Sequence, residues 1–370
     1  MYFVAPSVYL PRPQYLFQNV KSFRSRQAID HRIVKGVLAK YGLEVIKPPK
    51  VPSGGGRSQS LIIDTTAGKK LLKRYKESLA HSTITQEHSI LNYLAEIDFP
   101  APRLVADNTD HTLVQRGEER YALFDFIEGG FQYHNYILFP GQARYFITNA
   151  SEMVARLHDN LKDFVPQGYN PDGFKSQSED RWRNLEWILN RLAQCVTETT
   201  RIMSVSDKSQ PAWFLQQAGY LEEALIQLDA KLKGAALPRL LIHADYGPYN
   251  LLFRKDDRAI ILDFEIARLD WRVTEIIQAW HKFCYNIFGF RLHKMKWFLD
   301  AYQLHLPLTQ DELYFIPVVW QYLDIRWAIM NWSRYCQSEA DSLLVSARKI
   351  LDQADWITNN GDKLISSVLA

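Results

Sequence analysis

The sequence predicts an α+β protein with two lobes: a small N-terminal lobe with an antiparallel sheet and a larger, mainly helical lobe. The chain has 370 residues, which is longer than a single domain usually is. A hairpin pattern at 60–75 is followed by a helix pattern, and helical patterns dominate after residue 128. We therefore expect an N-terminal extension at residues 1–42, a first lobe at 43–128 and a second lobe at 129–370.

The composition is typical of a soluble globular protein. Hydrophobic residues make up 47% of the chain and charged residues 23%, so the chain can bury a core. The net charge of +3 is not concentrated in a basic run, which argues against nucleic acid as a partner. We find no signal peptide and no apolar run of membrane-spanning length, so we expect no membrane association. The three cysteines have neither metal-ligand nor disulfide spacing, which favours the reducing cytoplasm.

The first lobe is predicted from local patterns. Arg26 to Tyr41 reads as a helix that ends at Gly42. Residues 60–75 read as a hairpin with its turn at Ala67-Gly68, and a strand is expected at 121–127.

A helix from Thr83 to Ile97 connects these strands. Thr83 and Gln86 have the spacing of a capping box. The residues predicted to form its buried stripe are Ile90, Leu91, Leu94 and Ile97.

In the second lobe, a helix is expected at 143–161, and three short apolar runs surround a polar loop. The runs are 240–242, 251–253 and 260–262, which we interpret as buried strands. The loop reads His243-Ala-Asp245-Tyr-Gly-Pro-Tyr-Asn250, and Asp263 follows the last strand. Phosphoryl transfer needs a carboxylate beside the attacking hydroxyl and oxygen ligands for Mg²⁺, which these side chains can supply. Taken alone, an Asp and an Asn in a loop are also typical turn residues.

This residue order resembles the catalytic loop and metal-binding segment of kinases, and most closely those of the aminoglycoside phosphotransferase and choline kinase family. His243-Ala-Asp245 corresponds to the family's His-Gly-Asp, and Leu262-Asp263-Phe-Glu265 to its Ile-Asp-Phe-Glu. The resemblance covers roughly residues 43–335. It implies a protein-kinase-like fold, with ATP and Mg²⁺ bound in the cleft between the lobes.

The resemblance also implies roles for individual residues. Asp245 would be the catalytic base, Asn250 and Asp263 would bind Mg²⁺, and His243 would brace the loop. Ala244 replaces the commoner glycine, and we expect this change to be modest because only the backbone position is affected.

Two roles for Glu265 remain open at this point. It could contact a second metal ion through water, or it could pair with a cation such as Arg268.

Lys73 corresponds to the family's third-strand lysine, and Glu87 follows fourteen residues later on the next helix. An ion pair between them would direct Lys73 to the α and β phosphates of the nucleotide. Taken alone, Lys73 is typical of a solvated strand lysine, since Lys69 shares its strand face. Glu87 alone is likewise typical of a helix surface. The prediction depends on both residues preceding a complete catalytic loop.

The rest of the nucleotide site is predicted by position within the family pattern. Gly55 and Gly56 lie where a turn covers the phosphates, although the sequence has neither Gly-x-Gly-x-x-Gly there nor a Walker-type loop. Phe126 and Ile127 occupy the hinge position, where main-chain groups would meet adenine; a plain linker is the alternative. His158 lies on the helix that opens the second lobe, where we expect a packed residue and not a catalyst.

Trp320, Asp324 and Trp327 recur at helical spacing near the C-terminus and would share one helix face. The family's helices in this region line the acceptor pocket, and an aromatic face with a carboxylate suits a hydroxylated amine. The alternative is that the tryptophans belong to the core and that Asp324 bonds to a neighbour.

The resemblance therefore implies an ATP-dependent kinase of a small hydroxylated molecule, such as an amino alcohol, homoserine, a sugar or an aminoglycoside. ATP and GTP are not distinguished by the sequence, and no pattern indicates an oligomeric state. The alternative is a kinase-like nucleotide-binding or structural protein of the spore-coat type without turnover, against which intact Asp245, Asn250 and Asp263 argue. A protein kinase is disfavoured because Asp-Phe-Gly and Ala-Pro-Glu are absent.

Overall fold

The computed structural model describes residues 29–52, 59–130, 140–168, 184–204, 209–254, 259–286 and 289–369. Within these ranges the protein combines a five-stranded antiparallel sheet near the N-terminus with many helices after it. The predicted α+β class is therefore confirmed. In the same ranges, no helix combines the length and the apolarity that crossing a bilayer requires.

The N-terminal sheet contains the predicted hairpin. Its strands are β1 (Gln59–Thr65), β2 (Gly68–Arg74), β3 (Leu104–Val105), β4 (Val114–Arg116) and β5 (Glu119–Asp125). Their order is β1-β2-β5-β3, and β4 also pairs with β5. Lys73 on β2 is paired with Ser60 on one side and with Ala122 on the other, so it lies on an interior strand.

Helix α1 (His31–Leu38) packs on this sheet. Its N-terminus is capped by Asp30, whose side chain accepts a hydrogen bond from the backbone N–H of Arg32. Its buried residues join the core formed by the strands. The helix ends through a 3₁₀ turn at Gly42, which has a left-handed φ of 64°. The predicted start at Arg26 lies outside the described residues.

Helix α2 (His81–Glu96) differs from the prediction at its N-terminus. Its N-cap residue is Ala80, which makes no side-chain capping bond, so the predicted capping box is wrong. The helix starts before Thr83, which is therefore already inside the first turn. The Gln86 side chain donates instead to the carbonyl oxygen of Ala267, at 2.6 Å.

The buried stripe of α2 is correct for Ile90, Leu91 and Leu94. Ile97 lies beyond the helix and is 39% exposed, so this part of the prediction is wrong. The chain leaves the helix there because Asp98 adopts a left-handed φ of 52°.

The region around the polar loop contains four strands instead of three. They are β6 (Arg239–Ile242), β7 (Leu251–Phe253), β8 (Ala259–Ile261) and β9 (Arg268–Trp271). β6 pairs with β9 and β7 with β8, each antiparallel. The backbone N–H of Leu262 donates to the carbonyl oxygen of Asn250 at 2.8 Å, which joins the end of the loop to the segment that carries Asp263.

The helices of the second lobe follow the predicted dominance of helical patterns. They are α3 (Pro140–Leu161), α4 (Leu185–Met203), α5 (Ser209–Leu232), α6 (Arg272–Phe283), α7 (Leu292–Gln303), α8 (Gln310–Ser338) and α9 (Asp341–Leu364). A small hairpin of β10 (Tyr285–Asn286) and β11 (Gly289–Phe290) lies between α6 and α7.

The chain forms two compact units. One contains Trp182–Lys233 and Trp320–Asn359, and so includes α4, α5 and most of α9. The other contains Gln27–Arg181 and Gly234–Val319, and so includes the N-terminal sheet and the polar loop. The predicted lobe boundaries at residues 42 and 128 stay predictions.

Candidate active site

Lys73 and Glu87 form the ion pair that the sequence predicts. Lys73 Nζ lies 2.8 Å from Glu87 Oε1, and both side chains are buried. Lys69, on the same strand face, pairs instead with the exposed Glu128. Burial therefore distinguishes Lys73 from a solvated strand lysine.

Two further carboxylates lie close to the same ammonium. Lys73 Nζ is 3.8 Å from Asp263 Oδ1 and 3.4 Å from Glu265 Oε2. Burial alone would lower the pKa of Lys73, but Glu87, Asp263 and Glu265 together raise it above its ordinary value. Lys73 is therefore charged at neutral pH. Lys73 is one partner of Glu265 in this structure, and Asp270 is one partner of Arg268.

Tyr75 orients Glu87 from the end of β2. Its hydroxyl donates to Glu87 Oε2 at 2.8 Å and lies 2.9 Å from His88 Nε2. Since the hydroxyl has one hydrogen, His88 must donate through Nε2, and its Nδ1 then accepts from Thr112 at 2.7 Å. Burial, with a contribution from Lys73, lowers the pKa of His88 to about 4, which keeps the imidazole neutral. This network was not predicted from the sequence.

The polar loop is held by a buried carboxylate on α6. Glu275 Oε2 accepts the backbone N–H of His243 at 2.6 Å, and Oε1 accepts that of Ala244 at 2.7 Å. His158 Nε2 lies 3.1 Å from Glu275 Oε2, which agrees with a packed His158. His243 Nδ1 accepts the backbone N–H of Asp245 at 3.2 Å. His243 and Glu275 thus set the backbone that carries Asp245.

Three donors surround the Asp245 carboxylate. Lys282 Nζ lies 2.8 Å and the Tyr249 hydroxyl 3.1 Å from Oδ1, while Asn250 Nδ2 donates to Oδ2 at 3.1 Å. Burial would raise the pKa of Asp245, but the Lys282 ammonium outweighs it and holds that pKa below its ordinary value. Burial would lower the pKa of Lys282, but Tyr249 and Asp245 raise it. Both members of this pair are therefore charged at neutral pH.

Of the two metal-binding candidates, Asn250 lies on this loop and Asp263 follows β8. Asp263 adopts a left-handed φ of 63°, and its side chain is about half exposed. Asn250 donates through Nδ2, so Oδ1 is the atom that it can offer to a cation. Among the described residues, no group of three or more His, Cys, Asp or Glu side chains could hold a metal ion by itself.

The remaining nucleotide candidates are described only in part. The backbone N–H of Phe126 donates to the carbonyl oxygen of Lys69 at 3.2 Å, so this N–H is already used within the sheet. Phe126 and Ile127 are both half-buried. Gly55 and Gly56 lie outside the described residues. The roles of all four in nucleotide binding stay predictions.

The acceptor candidates belong to the compact unit that contains most of α9, while the polar loop belongs to the other. Trp320 and Asp324 are fully buried, and Trp320 Nε1 donates to Asp324 Oδ2 at 2.8 Å. Trp327 is half-buried. This bond between neighbours is the arrangement expected of a core. The substrate role of the three residues stays a prediction.

Ala244 occupies a backbone conformation that favours glycine, with a φ of 66°. We expect Ala244→Gly to raise the free energy of unfolding by about 1 kcal/mol, because a left-handed conformation costs other residues about 1–2 kcal/mol. Thermal unfolding by circular dichroism measures the effect. Ala301→Gly inside α7 is the control and should lower stability by about 1 kcal/mol. A lower melting temperature for Ala244→Gly would contradict the assigned strain.

Glu275 and Lys282 are the two site residues that sequence reasoning missed on α6. A signal was available, since they lie seven residues apart on the helix that follows the Asp263 segment. This spacing puts both on one helix face. Without the fold, however, nothing relates that face to the polar loop.

Comparisons with known proteins identify the family and the fold of the chain. The profile of the phosphotransferase enzyme family (APH) matches residues 50–302. A homoserine kinase of Rhodopseudomonas palustris (strain TIE-1) is 23% identical over 283 residues, which are 76% of this chain and 78% of the relative.

Two solved structures show the same fold. An aminoglycoside phosphotransferase from Alicyclobacillus acidocaldarius subsp. acidocaldarius DSM 446 superposes with a TM-score of 0.66 at 14% identity, covering 94% of this chain and 98% of the other. The amicoumacin kinase hAmiN, in complex with AMP-PNP, Ca²⁺ and Ami, gives a TM-score of 0.61 at 14% identity, covering 88% and 94%.

The predicted protein-kinase-like fold and the resemblance to aminoglycoside phosphotransferases and choline kinases are therefore confirmed. The matched segment exceeds half of the chain and includes Lys73, Asp245 and Asp263. The chain belongs to the phosphotransferase enzyme family and is an ATP-dependent kinase of small-molecule alcohols.

Proposed function

We propose that the protein transfers the γ-phosphoryl group of ATP to a hydroxyl of a small metabolite, with Asp245 as the base. Asn250 and Asp263 bind Mg²⁺, and Lys73 aligns the nucleotide phosphates. The observation that carries the proposal is the 3.8 Å distance between Lys73 Nζ and Asp263 Oδ1. It brings the lysine of the sheet and the carboxylate after β8 to one place.

The residues fit Mg²⁺ in donor chemistry and in charge. Asp263 and Asn250 offer oxygen atoms, which Mg²⁺ prefers, and Mg²⁺ sites in kinases use one or two carboxylates beside phosphate and water. Three carboxylates, those of Glu87, Asp263 and Glu265, lie within 4 Å of the single Lys73 ammonium. The carboxylates gathered at this place attract a cation.

The transfer step places the acceptor hydroxyl against Asp245. Bound MgATP supplies an electrophilic γ-phosphorus and a leaving ADP. The hydroxyl oxygen forms the bond to this phosphorus, and the bond from phosphorus to the β–γ bridging oxygen breaks. Asp245, ionised beside Lys282, takes the hydroxyl proton. His243 and Glu275 keep the carboxylate in place by fixing the backbone on either side of Ala244.

The relatives support a small hydroxylated acceptor. One is named a homoserine kinase and another an amicoumacin kinase, so their acceptors include an amino acid alcohol and an antibiotic. Amino acid alcohols, amino alcohols and aminoglycosides are therefore the first acceptors to test. We also propose a cytoplasmic location, because Cys195, Cys284 and Cys336 are all free thiols.

The test is a screen of these acceptors for ATP-dependent phosphorylation, with Lys73→Met assayed in parallel. We expect Lys73→Met to raise the KM for ATP or to lower kcat by about tenfold or more, because phosphate alignment is lost while the fold remains. Circular dichroism and thermal unfolding check that the variant is folded.

Lys70→Met is the matched control for this experiment. Lys70 lies on the same strand but on the opposite face, and it pairs with the exposed Asp125. Its kinetics should stay within about twofold of the wild type. Normal kinetics for Lys73→Met would contradict the proposed role, and a chain that phosphorylates none of the acceptors would contradict the proposed function.

A further inference from the structure

The side chain of Lys282 lies directly against the proposed base. It extends from the last turn of α6, is largely buried, and places Nζ 2.8 Å from Asp245 Oδ1. The same Nζ lies 5.2 Å from the centre of the Tyr249 ring. Because the Tyr249 hydroxyl also donates to Asp245 Oδ1, an ammonium, a phenol and a carboxylate form one cluster.

The loop is shaped to accommodate this lysine. A Cβ atom at Gly247 would come within 2.6 Å of Lys282 Cδ. The backbone at Gly247 is extended, with a φ of −176°, which any residue can adopt. The glycine is therefore required by the Lys282 side chain and not by the backbone conformation.

An acceptor cannot reach Asp245 Oδ1 without approaching Lys282. A hydroxyl that donates to a base lies within about 3.2 Å of the accepting oxygen. Since Lys282 Nζ is 2.8 Å from Oδ1, the hydroxyl oxygen lies within about 6 Å of the ammonium. This distance is shorter than the Debye length of about 8 Å at physiological ionic strength. The Lys282 ammonium therefore interacts electrostatically with charged groups close to the reacting hydroxyl.

The positive charge of Lys282 discriminates between anionic and cationic acceptors. For an alkylammonium alcohol, an unpaired catalytic carboxylate would attract the amine, but here Asp245 is neutralised by Lys282. An acceptor carboxylate instead meets an ammonium and a phenolic hydroxyl, both hydrogen-bond donors. The charge that Lys282 adds thus favours an anionic group near the reacting hydroxyl.

We propose that Lys282 is a specificity-determining residue, which selects acceptors that carry a carboxylate near the reacting hydroxyl, namely hydroxy acids and hydroxy amino acids, over alkylammonium alcohols. This inference rests on the proposed function, because it takes Asp245 as the base. It narrows the acceptors to one chemical class.

The experiment compares wild type, Lys282→Met, Lys282→Arg and the control Lys296→Met, which removes a lysine from an exposed helical pair with Asp300. The acceptors are hydroxy acids and hydroxy amino acids, beginning with homoserine, each compared with its carboxamide, which lacks only the carboxylate charge. Choline and ethanolamine are the cationic probes. Steady-state kinetics with ATP and calorimetric binding without nucleotide are measured for each.

Wild type is expected to prefer each accepted acid to its amide by about tenfold or more in kcat/KM, the factor for a lost charge-assisted contact. Lys282→Met should remove this preference mainly by raising the KM of the acid, with the KM for ATP unchanged. Lys282→Arg should retain it, and Lys296→Met should match the wild type. A lysine that only positions Asp245 would lower kcat for the acid and the amide equally.

Equal losses for acid and amide overturn the inference, as does a wild-type preference for amides or alkylammonium alcohols. In the last case the kinase proposal stands and only the specificity is wrong. If no acceptor is phosphorylated but Lys282→Met loses calorimetric binding of acids selectively, the role of Lys282 in binding acids holds and the proposed phosphoryl transfer fails. If acids are neither bound nor phosphorylated, the inference is wrong.

Discussion

Replacement of Asp245 by asparagine is expected to lower kcat by about 10²-fold or more while nucleotide binding persists. Asparagine keeps the size of the side chain but cannot take the hydroxyl proton. Lys73 and Asp263 are unchanged, so MgATP should still raise the melting temperature. Steady-state phosphorylation and thermal-shift titration measure the two effects. Turnover within about tenfold of wild type would contradict the role of Asp245 as base.

Lys282 makes a second variant necessary for this prediction. In Asp245→Asn the Lys282 ammonium loses its carboxylate, and a buried charge without its partner is destabilising. The double variant Asp245→Asn/Lys282→Met removes both charges, so the melting temperature should recover while turnover stays low. Asp300→Asn, which breaks an exposed pair, is the control and should change neither property. Recovery of turnover in the double variant would show that the loss of turnover in Asp245→Asn came from a Lys282 ammonium without its carboxylate.

Replacement of Glu275 by glutamine is expected to lower the free energy of unfolding by about 2–4 kcal/mol and kcat by about tenfold or more. Glu275 is fully buried and accepts the backbone N–H groups of His243 and Ala244 with different oxygens. Glutamine has one oxygen, so its NH₂ group would face one of these N–H donors. Because Asp245 directly follows Ala244, a displaced loop displaces the proposed base.

His158→Leu separates an effect on stability from an effect on the position of the polar loop. It removes the contact between His158 and Glu275 Oε2 but leaves both loop amides bound. We expect its melting temperature to fall while kcat changes much less than in Glu275→Gln. Hydrogen exchange at the His243 and Ala244 amides should speed up only in Glu275→Gln. Equal kcat losses in the two variants would contradict a positioning role for Glu275.

Several local features could be predicted because they depend on neighbouring residues. The β1–β2 hairpin follows from alternating apolar residues around a glycine turn, and the order of Asp245, Asn250 and Asp263 can be read directly. Lys73 and Glu87 could be predicted as a pair because they precede the catalytic loop in the order of the family's pattern.

Other features could not be predicted from local patterns. β9, with the sequence Arg-Leu-Asp-Trp, carries little apolar signal and becomes a strand only because β6 supplies its hydrogen bonds from thirty residues away. The predicted capping box of α2 was wrong. The Gln86 side chain donates to the carbonyl oxygen of Ala267, far along the chain, instead of bonding to the backbone at the N-terminus of its own helix.

The sequence by itself determined the two-lobe α+β class, the family and the candidate residues for the chemistry, since these depend on motifs of contiguous residues. Only the tertiary structure decided what surrounds Asp245. Lys282 and Glu275 reach the loop from a helix that begins more than twenty residues later, and Gly247 leaves the space that Lys282 fills. Such contacts depend on packing between distant segments, which has no periodicity in the chain. The electrostatic environment of Asp245 is therefore a property of the fold.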